Sequence, residues 1–216
     1  MEISQQKAVH IILGGTFNPV HFGHLRIAEE VANIFPRAKI SLMPAAYPPH
    51  RAQPNVSPEQ RIEMLELALS TSHHLQIDDR ELQREEPSYS VVTLSEIRQE
   101  VADASVIFLM GTDAFAKLNQ WYQWQKLLDL TNILVIERPN SSYPNQGEIA
   151  DLLQSNQVVP SQLPHYSHGK IATLTMPLLD ISSTYIRNQI KCGKSPRFLL
   201  PNVILDYIQR HQLYRD

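Results

Sequence analysis

Three short, almost wholly apolar runs limit the fold of this chain more than any other feature: Ala8-Val9-His10-Ile11-Ile12-Leu13, Ser105-Val106-Ile107-Phe108-Leu109-Met110 and Asn132-Ile133-Leu134-Val135-Ile136. Apolar residues on every position of so short a run fit a strand covered on both faces, the environment of a parallel sheet. Parallel neighbours need long crossovers, and helical patterns fill the intervals here.

Leu25, Ala28, Val31, Ala32 and Phe35 recur at helical spacing until Pro36 breaks the pattern, which puts His24 in the first helical turn. Lys39 to Met43 reads as a second strand, followed by the proline-stiffened loop Pro44 to Arg51. Ser57-Pro58-Glu59-Gln60 combines an N-cap, a proline at the first helical position and a glutamine that closes a capping box, so a helix is expected through Ile62, Leu65 and Leu69. Leu75-Gln76-Ile77 and Ile171 to Leu174 are short strands. Asp78-Asp79-Arg80-Glu81 reads as a solvated turn. Helices are expected at Tyr89 to Val101, Trp121 to Leu130, Ser183 to Cys192 and Pro201 to His211. Residues 140–169 shift to Ser, Asn, Gln, Pro and His with a weak helix near Glu148 to Leu153, and are expected to form a surface excursion. The expected fold is α/β: one Rossmann-like, doubly wound domain over residues 1–216, with a mainly parallel sheet and helices on both faces.

With 19 Lys and Arg against 22 Asp and Glu, the formal charge is -3, which argues against a general nucleic-acid binder. No signal-peptide pattern or membrane-length apolar run is present, so a cytoplasmic protein without membrane contact is expected. Cys192 is the single cysteine and reads as a structural residue near a helix end. His73, His74, His165 and His168 are scattered through expected loops as exposed side chains, and no protein metal site is expected.

The chemistry is concentrated where the first strand meets its helix. Gly14-Gly15-Thr16-Phe17-Asn18-Pro19-Val20-His21-Phe22-Gly23-His24 leaves unpaired N–H groups at a helix start, with two imidazoles three residues apart on one side of it. That arrangement suits a polyphosphate, and Gly23 suits a close backbone approach. Gly111-Thr112-Asp113 is a second strand-to-helix turn. Near the C-terminus, Ser182, Ser183 and Thr184 precede a helix with Arg187 one turn on: either an ordinary cap with a solvated arginine, or hydroxyl and guanidinium donors for phosphate.

Gly14 to His24 resembles the signature of the nucleotidyltransferase superfamily that carries a histidine-x-glycine-histidine motif. Ile181-Ser182-Ser183-Thr184-Tyr185-Ile186-Arg187 resembles its second motif. Pro48-Pro49-His50-Arg51, Pro87-Ser88-Tyr89-Ser90, Gly111-Thr112-Asp113, Trp121-Tyr122 and Glu137-Arg138-Pro139 follow in the order of the bacterial nicotinate-nucleotide adenylyltransferase family, so the likeness runs from about Ile11 to Tyr214.

The resemblance implies transfer of AMP from ATP, with Mg²⁺, to nicotinate mononucleotide, by in-line attack and without a covalent enzyme intermediate. It implies catalytic roles for His24, His21 and Arg187. ATP is expected on Gly14, Gly15, Thr16, Phe17, His21, His24, Ile181, Ser182, Ser183, Thr184 and Arg187. The acceptor is expected on Asn18, His50, Arg51, Ser90, Gly111, Asp113, Trp121, Tyr122 and Arg138, with Trp121 stacking on the pyridine and Trp124 filling a structural role. Ser90 stands where the family more often has Thr, and Asn18 where its nicotinate branch usually has Asp. The rival readings are the same transfer to nicotinamide mononucleotide or phosphopantetheine, and a nucleotide-binding regulator without turnover. Residues 140–169 are long enough for a lid or a subunit contact, so a homo-oligomer is among the expectations.

Overall fold

The computed structural model describes residues 7–46, 56–84, 87–138 and 142–215. Six strands, β1 (Val9–Gly15), β2 (Lys39–Pro44), β3 (Leu75–Ile77), β4 (Ser105–Gly111), β5 (Asn132–Ile136) and β6 (Ile171–Leu174), form one sheet in the order β3-β2-β1-β4-β5-β6. All five pairings are parallel, with Leu13 opposite Leu42 on one side and Leu109 on the other.

Every strand side chain from Ser105 to Met110, and all of β5, is buried, as the unbroken apolar runs require. Alternate positions serve two separate cores. Ile11, Leu13, Ile107, Leu109, Leu134 and Ile136 face α1 (Phe22–Ile34), α2 (Pro58–Leu69), α7 (Ser183–Lys191) and α8 (Asn202–Arg210). Ile12, Val106, Phe108, Met110, Ile133 and Val135 face α3 (Ser90–Glu100), the short helices α4 (Thr112–Phe115) and α5 (Leu127–Leu130), and α6 (Glu148–Asn156). Helices thus cover both faces of a doubly wound, Rossmann-like sheet. Chain order reverses between β1 and β4, so the crevice at their carboxyl ends is where this architecture receives a ligand.

The capping box forms as expected: Ser57 Oγ accepts from Gln60 N at 3.3 Å and the Gln60 side chain accepts from Ser57 N. Three expectations are revised. Asp78 to Glu81 is no solvated turn, because residues 80–83 wind into a 3₁₀ turn that buries Glu81 and the Thr93 hydroxyl donates to its carboxylate at 2.6 Å. Trp121 to Leu130 is not one helix: Gln123 adopts φ 49°, and only a 3₁₀ turn at Trp124–Lys126 and α5 follow. Residues 142–169 do more than cross the surface. Ile149, Leu163 and Pro164 are buried, and Asn132 Nδ2 donates to the Tyr166 carbonyl at 2.8 Å. Among the described residues no helix is long and apolar enough to cross a membrane.

Candidate active site

β1 and β4 end side by side, which brings the two strand-to-helix turns to one crevice. After Gly15 the chain takes a left-handed residue, Phe17 at φ 47°, an unusual conformation for an aromatic side chain. Its ring folds inward, 1% exposed, into space that a Cβ on Gly15 would meet at 3.0 Å. From there it meets the His24 ring edge-on, with centroids 4.9 Å apart. His21 caps α1, and its ring stacks on that of His24 at 3.6 Å, so the expected pairing of the two imidazoles is present.

The turn is held from outside. Arg61, 1% exposed, reaches up from α2 and donates from Nη1 to the carbonyls of Thr16 at 3.0 Å and Ala45 at 2.6 Å. Arg187 Nη1 donates to the Asn18 carbonyl at 2.7 Å, and Ser183 Oγ donates to the Pro19 carbonyl at 3.0 Å. Engaging the carbonyls of residues 16, 18 and 19 over-determines a strained backbone, as a left-handed phenylalanine needs. The two motifs therefore meet in space, although most of the chain separates them. Gly23 is the hinge of that meeting. A Cβ there would lie 3.0 Å from the His21 ring and 3.3 Å from the Ile181 carbonyl, so the missing side chain admits the histidine and the second motif.

Ser182 is an N-cap that accepts from Tyr185 N at 3.2 Å, and Thr184 accepts from Arg187 Nη2 at 3.2 Å. Two of the five guanidinium N–H groups of Arg187 are thus engaged, which leaves donors for an anion. The cap forms as expected, and Arg187 is engaged by the first motif where a solvated side chain was the alternative. Asn18 is 7% exposed, and its Oδ1 accepts from the Tyr214 hydroxyl at 2.6 Å.

Burial first, and then the positive Arg138, push the His21 pKa down to about 4, so its imidazole is neutral at pH 7. Its Nδ1 has no hydrogen-bond partner among the described residues.

The β4 side is more open. Asp113 and Arg138 are about half exposed and face each other at 3.5 Å. Gly111 makes room for them, since a Cβ there would lie 2.5 Å from Arg138 Nε and 2.6 Å from Asp113 Oδ1. Buried Thr112 anchors the turn by donating to the Ile136 carbonyl and accepting from Arg138 N. Trp121 is half-buried with its ring edge-on to Phe108 at 6.3 Å, and Tyr122, 51% exposed, lies 4.6 Å from the Tyr89 ring. Trp124 packs on the same core, so both tryptophans have a structural share. Ser90 opens α3. His50 and Arg51 lie outside the described residues. His73, His74, His165 and His168 are exposed, and His74 pairs with Glu29 at 3.1 Å.

Sequence reasoning missed Arg61 and Tyr214. Arg61 shares a helix face with Leu65, where a charge interrupts an apolar stripe, and that interruption is the signal that marks it. Among the described residues, no group of three or more His, Cys, Asp or Glu side chains is placed to hold a metal ion.

A parallel sheet with a histidine-lined helix start at its switch point and a second, hydroxyl-rich helix start packed on it defines a nucleotide-handling enzyme. Residues 12–189 match the model of the cytidylyltransferase-like family, and the chain belongs to that family. Within it, the chain is 44% identical over 205 residues to the "Probable nicotinate-nucleotide adenylyltransferase" of Cellvibrio japonicus, covering 94% of this chain and 97% of that one. It is 42% identical to the protein of the same name from Pseudomonas aeruginosa, covering 94% and 96%. In fold it is similar to the nicotinic acid mononucleotide adenylyltransferase of Plasmodium falciparum complexed with NaAD, with a TM-score of 0.72 at 17% identity over 96% of this chain and 97% of that one.

Proposed function

We propose that this protein transfers AMP from ATP to nicotinate mononucleotide, forming deamido-NAD and pyrophosphate. The observation that carries the reading is the contact between the two motifs, Arg187 on the Asn18 carbonyl and Ser183 on the Pro19 carbonyl. It gathers two imidazoles, two helix starts and a guanidinium at one end of the sheet. The names of the relatives supply the acceptor.

Adenylyl transfer by direct displacement needs positioning and charge neutralisation more than it needs a nucleophile. An oxygen of the mononucleotide phosphate attacks the α-phosphorus, the bond to the β-phosphate oxygen breaks, and pyrophosphate leaves with its electron pair. His24, held between Phe17 and His21, donates to the α-phosphate oxygens as charge develops there. His21, neutral in the free protein, gains a reason to hold a proton once a polyphosphate lies beside it. Gly14 and Gly15, paired along the sheet at the end of β1, give ATP a bare backbone edge, while Thr16, the start of α7 and the remaining donors of Arg187 face the outer phosphates. The divalent ion, Mg²⁺ in this reading, arrives on the phosphate oxygens of ATP as part of the substrate.

Asp113, 53% exposed at the rim, is the acceptor for ribose hydroxyls, and Trp121, Tyr122 and Ser90 provide the pyridine and carboxylate end. The reaction belongs to the cytoplasm, where ATP is at hand. Purified protein with Mg·ATP and, in parallel, nicotinate mononucleotide, nicotinamide mononucleotide or phosphopantetheine tests the reading by chromatography of the products. Nicotinate mononucleotide is expected to give the highest kcat/KM. A higher value with either rival reassigns the acceptor, and no adenylylated product from any of the three contradicts the function.

A further inference from the structure

The last residues of the chain reach the phosphate turn. α8 closes with Gln212 N donating to the Gln209 carbonyl at 3.3 Å and Leu213 N to the Ile208 carbonyl at 3.0 Å, a Schellman ending with Gln212 at φ 54°. α7 ends the same way, but there Gly193 occupies the left-handed position at φ 67°. Tyr214 is left-handed as well, at φ 63°. Two left-handed residues other than glycine among three persist only where their surroundings over-determine them. What holds them is the destination. Leu213 packs on the core under α7 and α8, and the Tyr214 hydroxyl reaches Asn18 Oδ1, 196 residues away in sequence, at 2.6 Å.

We infer that Tyr214 is a positioning residue for adenylyl transfer: its hydroxyl fixes the Asn18 side chain and, through it, the turn that receives the ATP phosphates. The inference rests on the proposed function. Asn18 is where the contacts converge, since its carbonyl is held by Arg187 while its side chain is held by Tyr214. With Oδ1 taken, Asn18 keeps its Nδ2 hydrogens as donors. Burial pushes the phenol pKa up, so the hydroxyl remains a donor across the working pH range even with Arg187 and Arg61 nearby. The tail is thus part of the phosphate end of the site.

Tyr214→Phe removes one oxygen and keeps the ring that packs on the core. Titration calorimetry with Mg·ATP should show affinity weakened about fivefold, the scale of one lost hydrogen bond. Asn18→Ala should weaken it by a similar factor, and the double variant no more than either single one, since Tyr214 acts through Asn18. In turnover assays kcat should fall while KM for the acceptor mononucleotide stays within about twofold. Wild-type affinity in Tyr214→Phe, or losses that multiply in the double variant, would overturn the inference. A wild-type protein that binds Mg·ATP but makes no dinucleotide counts against the proposed acceptor, while the calorimetric comparison still decides the role of Tyr214.

Discussion

After β1 the chain enters α1 through residues whose carbonyls at 16, 18 and 19 are each held by a side chain from α2 or α7. After β4 it enters α4 through Gly111-Thr112-Asp113, anchored from within by Thr112 and rimmed by one half-exposed ion pair. The two turns are neighbours on a parallel sheet and each leads from a strand into a helix, so the difference lies in what surrounds them. The first is finished before any ligand arrives. The second leaves Asp113, Arg138 and Tyr122 free to adjust. A pentavalent phosphorus tolerates little misplacement and calls for a preorganised setting, whereas a mononucleotide has to enter and a dinucleotide has to leave.

Variants at the two turns should therefore fail differently. His24→Ala should lower kcat by about 100-fold or more with little change in Mg·ATP affinity, as for other donors that act in the transition state, and steady-state kinetics with calorimetry checks both. The glycines sharpen the contrast. Gly23→Ala pushes a methyl group against the His21 ring and the Ile181 backbone carbonyl, so kcat should fall about 10-fold. Gly111→Ala meets only the far ends of Arg138 and Asp113, which can swing aside, so kcat should hold while acceptor KM rises about fivefold. A similar kcat loss in both variants would erase the distinction.

The buried His21 adds a pH signature to the first turn. Its folded pKa of about 4 lies below the ordinary 6.5, so between those values the unfolded chain binds a proton that the native one does not. Stability therefore falls as pH drops through that window, by about 1 kcal/mol between pH 7 and 5.5 from this group. Urea unfolding at the two pH values, with and without His21→Gln, isolates the contribution; an equal pH dependence in both proteins would contradict it. The smallest effect belongs to the second turn. Asp113→Asn removes a half-exposed ion pair of little energetic weight and should shift Tm by less than about 1 °C while raising acceptor KM.

The unbroken apolar runs made the parallel sheet legible in the sequence, and the capping box at Ser57 placed α2. The histidine pair and the second motif were legible as two segments, and spacing alone could not show that they touch. Their contact depends on Gly23 being small and on Arg187 and Ser183 finding backbone carbonyls, and a carbonyl acceptor leaves no mark in a sequence. Arg61 was hidden for the same reason, because its partners are backbone carbonyls, Thr16 on the turn and Ala45 just after β2. Glu81 looked solvated because three charged neighbours surround it in sequence, whereas the Thr93 hydroxyl that makes its burial tolerable comes from α3. The left-handed Gln123 divided an otherwise helical pattern that carries no glycine or proline to announce the break.

The proposed transfer is one direct displacement at the α-phosphorus, performed by a turn built in advance and with no covalent enzyme intermediate. The stereochemical course of turnover with a single diastereomer of the α-thio analogue of ATP, read by phosphorus NMR of the dinucleotide product, tests that claim most directly. Inversion of configuration at the α-phosphorus is the predicted result. Retention would require two displacements through an adenylylated enzyme and would contradict it.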